Sequence, residues 1–179
     1  LVVGIPVICL LSLAWQGRDH LTSAIGQAGR GVGAVRGEIA LLSFAFALGE
    51  VLEQALQAGG VGDQITALAP PPSVVIATVV IGMTLLGLAG IHQVVTATVM
   101  LVLFGTLPLG VSDLALMQAG LLGWAFTSMT GLSAVSVASA SAMFNVPLER
   151  VAYGPNIRFV TIYGIIGILV VSGVNLLVT

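Results

Sequence analysis

The chain has no lysine, one cysteine, two histidines and few charges of either sign: 7% of its 179 residues are Asp, Glu, Lys or Arg. Five scattered arginines against seven carboxylates give a formal net charge of −2. No basic patch can form to neutralise phosphates, which excludes nucleic acid as a partner. Cys9, the lone cysteine, can make no internal disulfide and carries no redox signal. The glycines at 29, 31 and 33 mimic a phosphate loop, but no strand precedes them and no P-loop lysine exists. The signatures HExxH and GxSxG, and paired intramembrane aspartates, are all missing, so neither a metal site nor an intramembrane enzyme is expected.

What the chain does have is apolar length. It is 58% hydrophobic with a mean hydropathy of +1.14, and its apolar runs exceed about 15 residues without period-2 alternation. These features predict an all-α polytopic membrane protein rather than a β-barrel, multi-pass in the cell inner (plasma) membrane, with the lipid bilayer as its first partner.

The stretch that organises the rest is Ser73 to Gly105, about 33 apolar residues with His92 near the middle. As one straight helix it would be roughly 50 Å long against a hydrocarbon core of roughly 30 Å, so it must turn round. Gly87 to His92 is the expected turning point, where two glycines relax the backbone beside the first polar side chains in many residues. The economical reading is a re-entrant hairpin, 73–105, that dips into the membrane.

Around it the chain divides as follows. Residues 1–16 read as a truncated transmembrane helix and 17–36 as a cytoplasmic amphipathic loop. That loop carries three of the five arginines and an apolar stripe at 21, 25, 28, 32 and 35, and its glycines make any helix there weak. A span follows at 38–57, holding Glu50 within hydrocarbon and Glu53 one turn later. An outer loop at 58–72 contains a short interfacial helix and ends in three prolines. After the hairpin, Ser112 or Asp113 is a natural N-cap. Residues 113–146 are too long for one straight crossing and polar in the centre, so they read as a single discontinuous helix interrupted between Thr127 and Ser133. Arg150 and Arg158 place the next loop on the cytoplasmic side, and 158–178 is the last span.

A span, an outer loop, a hairpin with a polar tip, a broken helix with a Ser/Thr/Gly midpoint and a final span, in this order, resemble one repeat of the ion transporter superfamily. The architecture is similar to the divalent anion:sodium symporters, and the match runs from Gly37 to Val178, as the second, C-terminal repeat. The resemblance implies a secondary transporter built from two inverted repeats, with hairpin tips and unwound helices forming a midplane site. It implies as partners the N-terminal repeat of the same chain, a small-molecule anion and, as a candidate, a homodimer mate. The transport-domain repeat would then be 37–179.

At the tip this sequence departs from the symporters, which carry Ser-Asn-Thr there. It reads Gly90-Ile91-His92-Gln93, followed by Thr96 and Thr98. An imidazole is a poor sodium ligand and a good proton carrier. The substrate and ion site is therefore expected at Gly90, Ile91, His92, Gln93 and Thr96 of the hairpin with Thr130, Gly131 and Ser133 of the break. His92 and Glu50 are the proton-coupling candidates. No cofactor is expected beyond coupling H+ or Na+. A non-transporting membrane subunit or channel is the alternative class, with an intramembrane enzyme behind it.

Overall fold

The computed structural model describes the backbone from Arg18 to Thr179, and the side chains at 36, 37 and from 39 onward. The opening helix expected at 1–16 and the side chains of the stripe at 21 to 35 lie outside the described residues. The chain divides into two units, Leu1–Ser43 and Phe44–Thr179, with the boundary inside a helix. That helix, α1 (Arg18–Ala58), is helical throughout. The stretch 18–36 is therefore helix rather than loop. Scattered glycines cost a helix only about 1 kcal/mol each, and here the cost does not interrupt it.

The second unit continues with α2 (Val61–Ala67), α3 (Pro72–Leu88), α4 (Gln93–Gly105), α5 (Asp113–Thr130), α6 (Val135–Phe144), α7 (Leu148–Tyr153) and α8 (Pro155–Val178). No strand occurs among the described residues. Among the described residues three stretches are long and apolar enough to cross a membrane: Ile39–Ala58, Asp113–Phe144 and Leu148–Val178. Exposed Ile162, Ile165, Ile166, Leu169 and Val170 line one face of α8, as suits a helix face solvated by lipid.

The element ends follow local chemistry. Pro72 and Pro155 occupy first turns, where a missing N–H costs nothing. Ser112 caps α5 by accepting from the Ala115 N–H at 3.3 Å. Asn145 closes α6 in the left-handed region at φ 50°.

α5 is the central helix, and its small residues make it so. Ala115, Ala119 and Gly123 recur at four-residue steps along one face, all buried, and let α3 approach closely. A Cβ on Gly123 would meet Met83 Sδ at 2.9 Å, and one on Gly120 would meet Leu101 of α4 at 3.0 Å. Ile76, Val79, Val80 and Met83 of α3, Phe126 of α5 and Val160 and Val171 of α8 complete the core. A separate cluster of Ala134, Val137 and Ala152 holds α6 to α7.

α8 is tied to the loop before α5 by one side chain. Asn175, 2% exposed, accepts the Ser112 N–H at Oδ1 (2.8 Å) and donates from Nδ2 to the Gly110 carbonyl (3.1 Å). Asn175→Leu strands a buried donor and acceptor together, and the expected loss is about 1–3 kcal/mol. Thermal unfolding of the purified protein checks this. An unchanged midpoint would mean that both backbone groups find other partners.

Candidate functional site

The hairpin turns through a helix stop placed directly before a helix start. Ile91 N–H donates to Leu86 O (3.0 Å) and Gly90 N–H to Gly87 O (2.9 Å), the paired bonds of a Schellman ending, with Gly90 at φ 89° in the position that favours glycine. His92 then opens α4 as its N-cap: the ring Nδ1 accepts the Val94 N–H at 3.3 Å. An Nδ1 that accepts places the proton of the neutral ring on Nε2. The last carbonyl of α3, Leu88 O, accepts from the Tyr153 hydroxyl at 3.0 Å. Limbs of 17 and 13 residues are about 25 Å and 20 Å long, each short of a full crossing.

The second interruption comes after Thr130. Gly131 adopts φ −71°, ψ 128°, its N–H still bonded to Thr127 O at 2.7 Å. α6 restarts at Val135 with Ala134 as an N-cap that offers no side-chain bond, leaving its first N–H groups without a cap. The interruption begins at Gly131, in the later half of the stretch Thr127 to Ser133, and the hydroxyls before it serve the helix itself. Thr127 donates to Gly123 O (2.8 Å) and Thr130 to Phe126 O (2.9 Å), while Ser128 Oγ lies 2.9 Å from Trp124 O.

Tip and break meet. The Ser128 hydroxyl is hydrogen bonded to Gln93 Oε1 at 2.7 Å, joining α5 to the first residue of α4. Thr127 Oγ1 also reaches Met83 O of α3 at 3.0 Å. Gly87 lies against Thr127 so closely that a Cβ there would overlap its methyl group, and a Cβ on Gly131 would lie 3.4 Å from Gly87 O. Ser136 donates to Ser128 O, bringing the start of α6 alongside. Asn156 Nδ2 donates to Met129 O (3.1 Å) and to Val151 O (2.9 Å), fastening the start of α8 to the same place.

Within this cluster the expected residues separate into two kinds. Gly90, Ile91 and Ser133 are exposed, and His92 and Gln93 are half-buried. Thr96 and Thr130 are buried, at 1% and 0% exposure, with hydroxyls donating to Gln93 O and Phe126 O of their own helices. Gly131 is buried but brings backbone to the junction. Ser128, Tyr153 and Asn156 join the site without having been singled out for it from the sequence. Their partners lie 35, 65 and 27 residues away, and no local pattern marks such pairs.

Glu50 is elsewhere. It lies in a groove with Glu53, Thr98, Val102 and Thr106, and Gly49 beside it faces Thr98 and Val102, about two turns along α4 from His92. Gln54 donates to the Glu50 carboxylate at 2.8 Å. The two proton-coupling candidates are thus not brought into one site. Among the described residues no group of His, Cys, Asp and Glu could hold a metal ion. The cluster gathers backbone groups, an amide, hydroxyls and one imidazole around the two interruptions. No protein-family model, curated protein or solved structure matches the chain.

Proposed function

We propose that the chain is the C-terminal part of a secondary active membrane transporter that moves a small organic or inorganic anion, coupled to a proton or sodium gradient. The observation that carries this reading is the meeting of two helix interruptions, Ala89–His92 and Gly131–Ala134, joined through Gln93 and Ser128. Irregular backbone at membrane depth is stable only where protein or a water-filled cavity surrounds it, and paired interruptions are how transporters present backbone groups to a solute. In this reading α3 and α4 form a re-entrant hairpin, α5 and α6 a broken helix, and an inverted N-terminal repeat of the same protein completes the site. The resemblance to the divalent anion:sodium symporters supports the same assignment. The protein is a carrier rather than an enzyme, and the anion meets the uncapped N–H groups at the start of α6 together with Gln93 and Ser133.

His92 supplies the coupling. Its Nδ1 accepts a backbone N–H, so a proton arriving there converts acceptor to donor and releases the cap of α4. Proton uptake and a change at the hairpin tip are then one event.

The test separates cap from proton. Asparagine also caps helices but does not titrate, so His92→Asn is expected to leave the unfolding midpoint near wild type while pH-driven uptake falls to background. Proteoliposomes of the intact protein, loaded with a panel of labelled carboxylates and sulfate, are assayed under an imposed pH gradient and then a sodium gradient. Full pH-driven uptake by His92→Asn sinks the role of His92. Absence of gradient-driven uptake of every anion by the wild type sinks the transport reading.

A further inference from the structure

A groove between α3 and α8 begins beside the hairpin tip, at Leu88, and runs away from it along both helices. It holds about 260 Å³ and is walled by Val80, Ile81 and Leu88 on one side and Ile157, Gly164 and Ile168 on the other. Its two hydroxyls are spent inside their own helices: Thr84 donates to Val80 O (2.7 Å) and Thr161 to Ile157 O (2.8 Å). The occupant must therefore be apolar along its length. At one end the groove passes, through shared Ile157, into a polar cavity formed with Tyr153, Gly154, Pro155 and the exposed Arg158. The same end carries exposed Tyr153 and, on the other side of α8, exposed Phe159. Aromatic side chains gather at the level of lipid headgroups.

We propose that this groove binds one acyl chain of an anionic phospholipid whose phosphate rests on Arg158. The dimensions select the occupant. From Ile157 to Ile168 the groove follows α8 for about 16 Å, against about 15 Å for one leaflet of a 30 Å hydrocarbon core. Spread over that length, 260 Å³ is a channel roughly 4–5 Å wide. That admits a single hydrocarbon chain and is too narrow for another helix, which needs about 10–12 Å. The charge selects the headgroup: a cation at the mouth of an apolar slot pairs with phosphate, and an anionic lipid adds further attraction. This inference needs only that α8 spans the bilayer, and it stands or falls separately from transport.

The experiment is native mass spectrometry of the intact protein released from detergent after incubation with palmitoyl-oleoyl phosphatidylglycerol or the matching phosphatidylcholine. The wild type is expected to retain one phosphatidylglycerol in preference. Arg158→Gln should lower its retention about fivefold, from the roughly 1 kcal/mol that one arginine contributes at an anionic surface, and lower that of phosphatidylcholine by less, since choline already balances its phosphate. Gly164→Val should lower retention of both lipids by filling the floor of the groove. A Cβ there would meet Phe126 at 3.4 Å, an ordinary contact that the fold tolerates. If that variant unfolds, Ile81→Trp, on an exposed part of the wall, replaces it. Equal retention of phosphatidylglycerol by wild type and Arg158→Gln overturns the proposal. So does a photo-crosslinker at Ile165 that captures polypeptide instead of added lipid.

Discussion

Gly131→Leu is expected to abolish uptake while the protein still reaches the membrane. The conformation at Gly131, φ −71° and ψ 128°, is one that any residue adopts, so strain is not the reason. The reason is space. A Cβ at this position would stand 2.6 Å from the Thr127 carbonyl oxygen and 3.4 Å from that of Gly87, and both are backbone atoms with little freedom to yield. Any side chain distorts the last turn of α5, and a leucine also reaches the hairpin and covers the N–H groups at the start of α6. Gly131→Ala carries the same first clash without the bulk, so it should lose part of the uptake where leucine loses all. Initial rates in proteoliposomes, normalised to correctly inserted protein, decide the matter. Wild-type rates for Gly131→Leu would remove the break from the site.

The second large effect is on stability. Gly87→Ala places a methyl group onto Thr127, whose β-branched side chain is fixed by hydrogen bonds to both Gly123 O and Met83 O and cannot rotate away. Overpacking of this kind costs about 1–3 kcal/mol. The nearest obstacle is the Thr127 methyl, which Thr127→Ser removes while keeping the hydroxyl. The double variant should therefore recover a substantial part of the loss, giving a favourable coupling of about 0.5–3 kcal/mol in a mutant cycle. Denaturant or thermal unfolding of the four proteins measures it. Strict additivity would mean that Gly87 serves the hairpin turn alone and not its contact with α5.

Gly87 also shows where reading the chain by itself stops. From the sequence it belongs to the turn, as one of two glycines near His92. In the fold only Gly90 turns the chain, and Gly87 sits a turn earlier as a docking surface. The local signals were legible because they act within a few residues: Gly90 ending a helix, Ser112 capping one, Pro72 starting one, and Gly131 interrupting one. They placed the helical hairpin and the discontinuity of α5. What they could not give is the axial position of one helix against another. The sequence pairs Glu50 with His92 as candidates for one proton, yet Gly49 packs on Thr98 and Val102, and the carboxylate falls about two turns away. Nor could composition say which hydroxyls are available. Thr96 and Thr130 look like ligands in sequence, but both close onto carbonyls of their own helices, while Ser128 pairs with Gln93.

The Asn175 bonds to Ser112 and Gly110 constrain how these helices can move. Two bonds from one side chain prevent α5 and α8 from sliding past each other at that end. Any tilt of α5 against α8 would therefore hinge at the Asn175 end. Displacement about a pivot grows with distance from it, and the far ends are Thr130 of α5 and Pro155 of α8, where Asn156 bridges to Met129 O. A tilt of a few degrees over roughly 27 Å of α5 would shift Gly131 by an ångström or more. Ser128 would carry Gln93 with it only as long as their single hydrogen bond held.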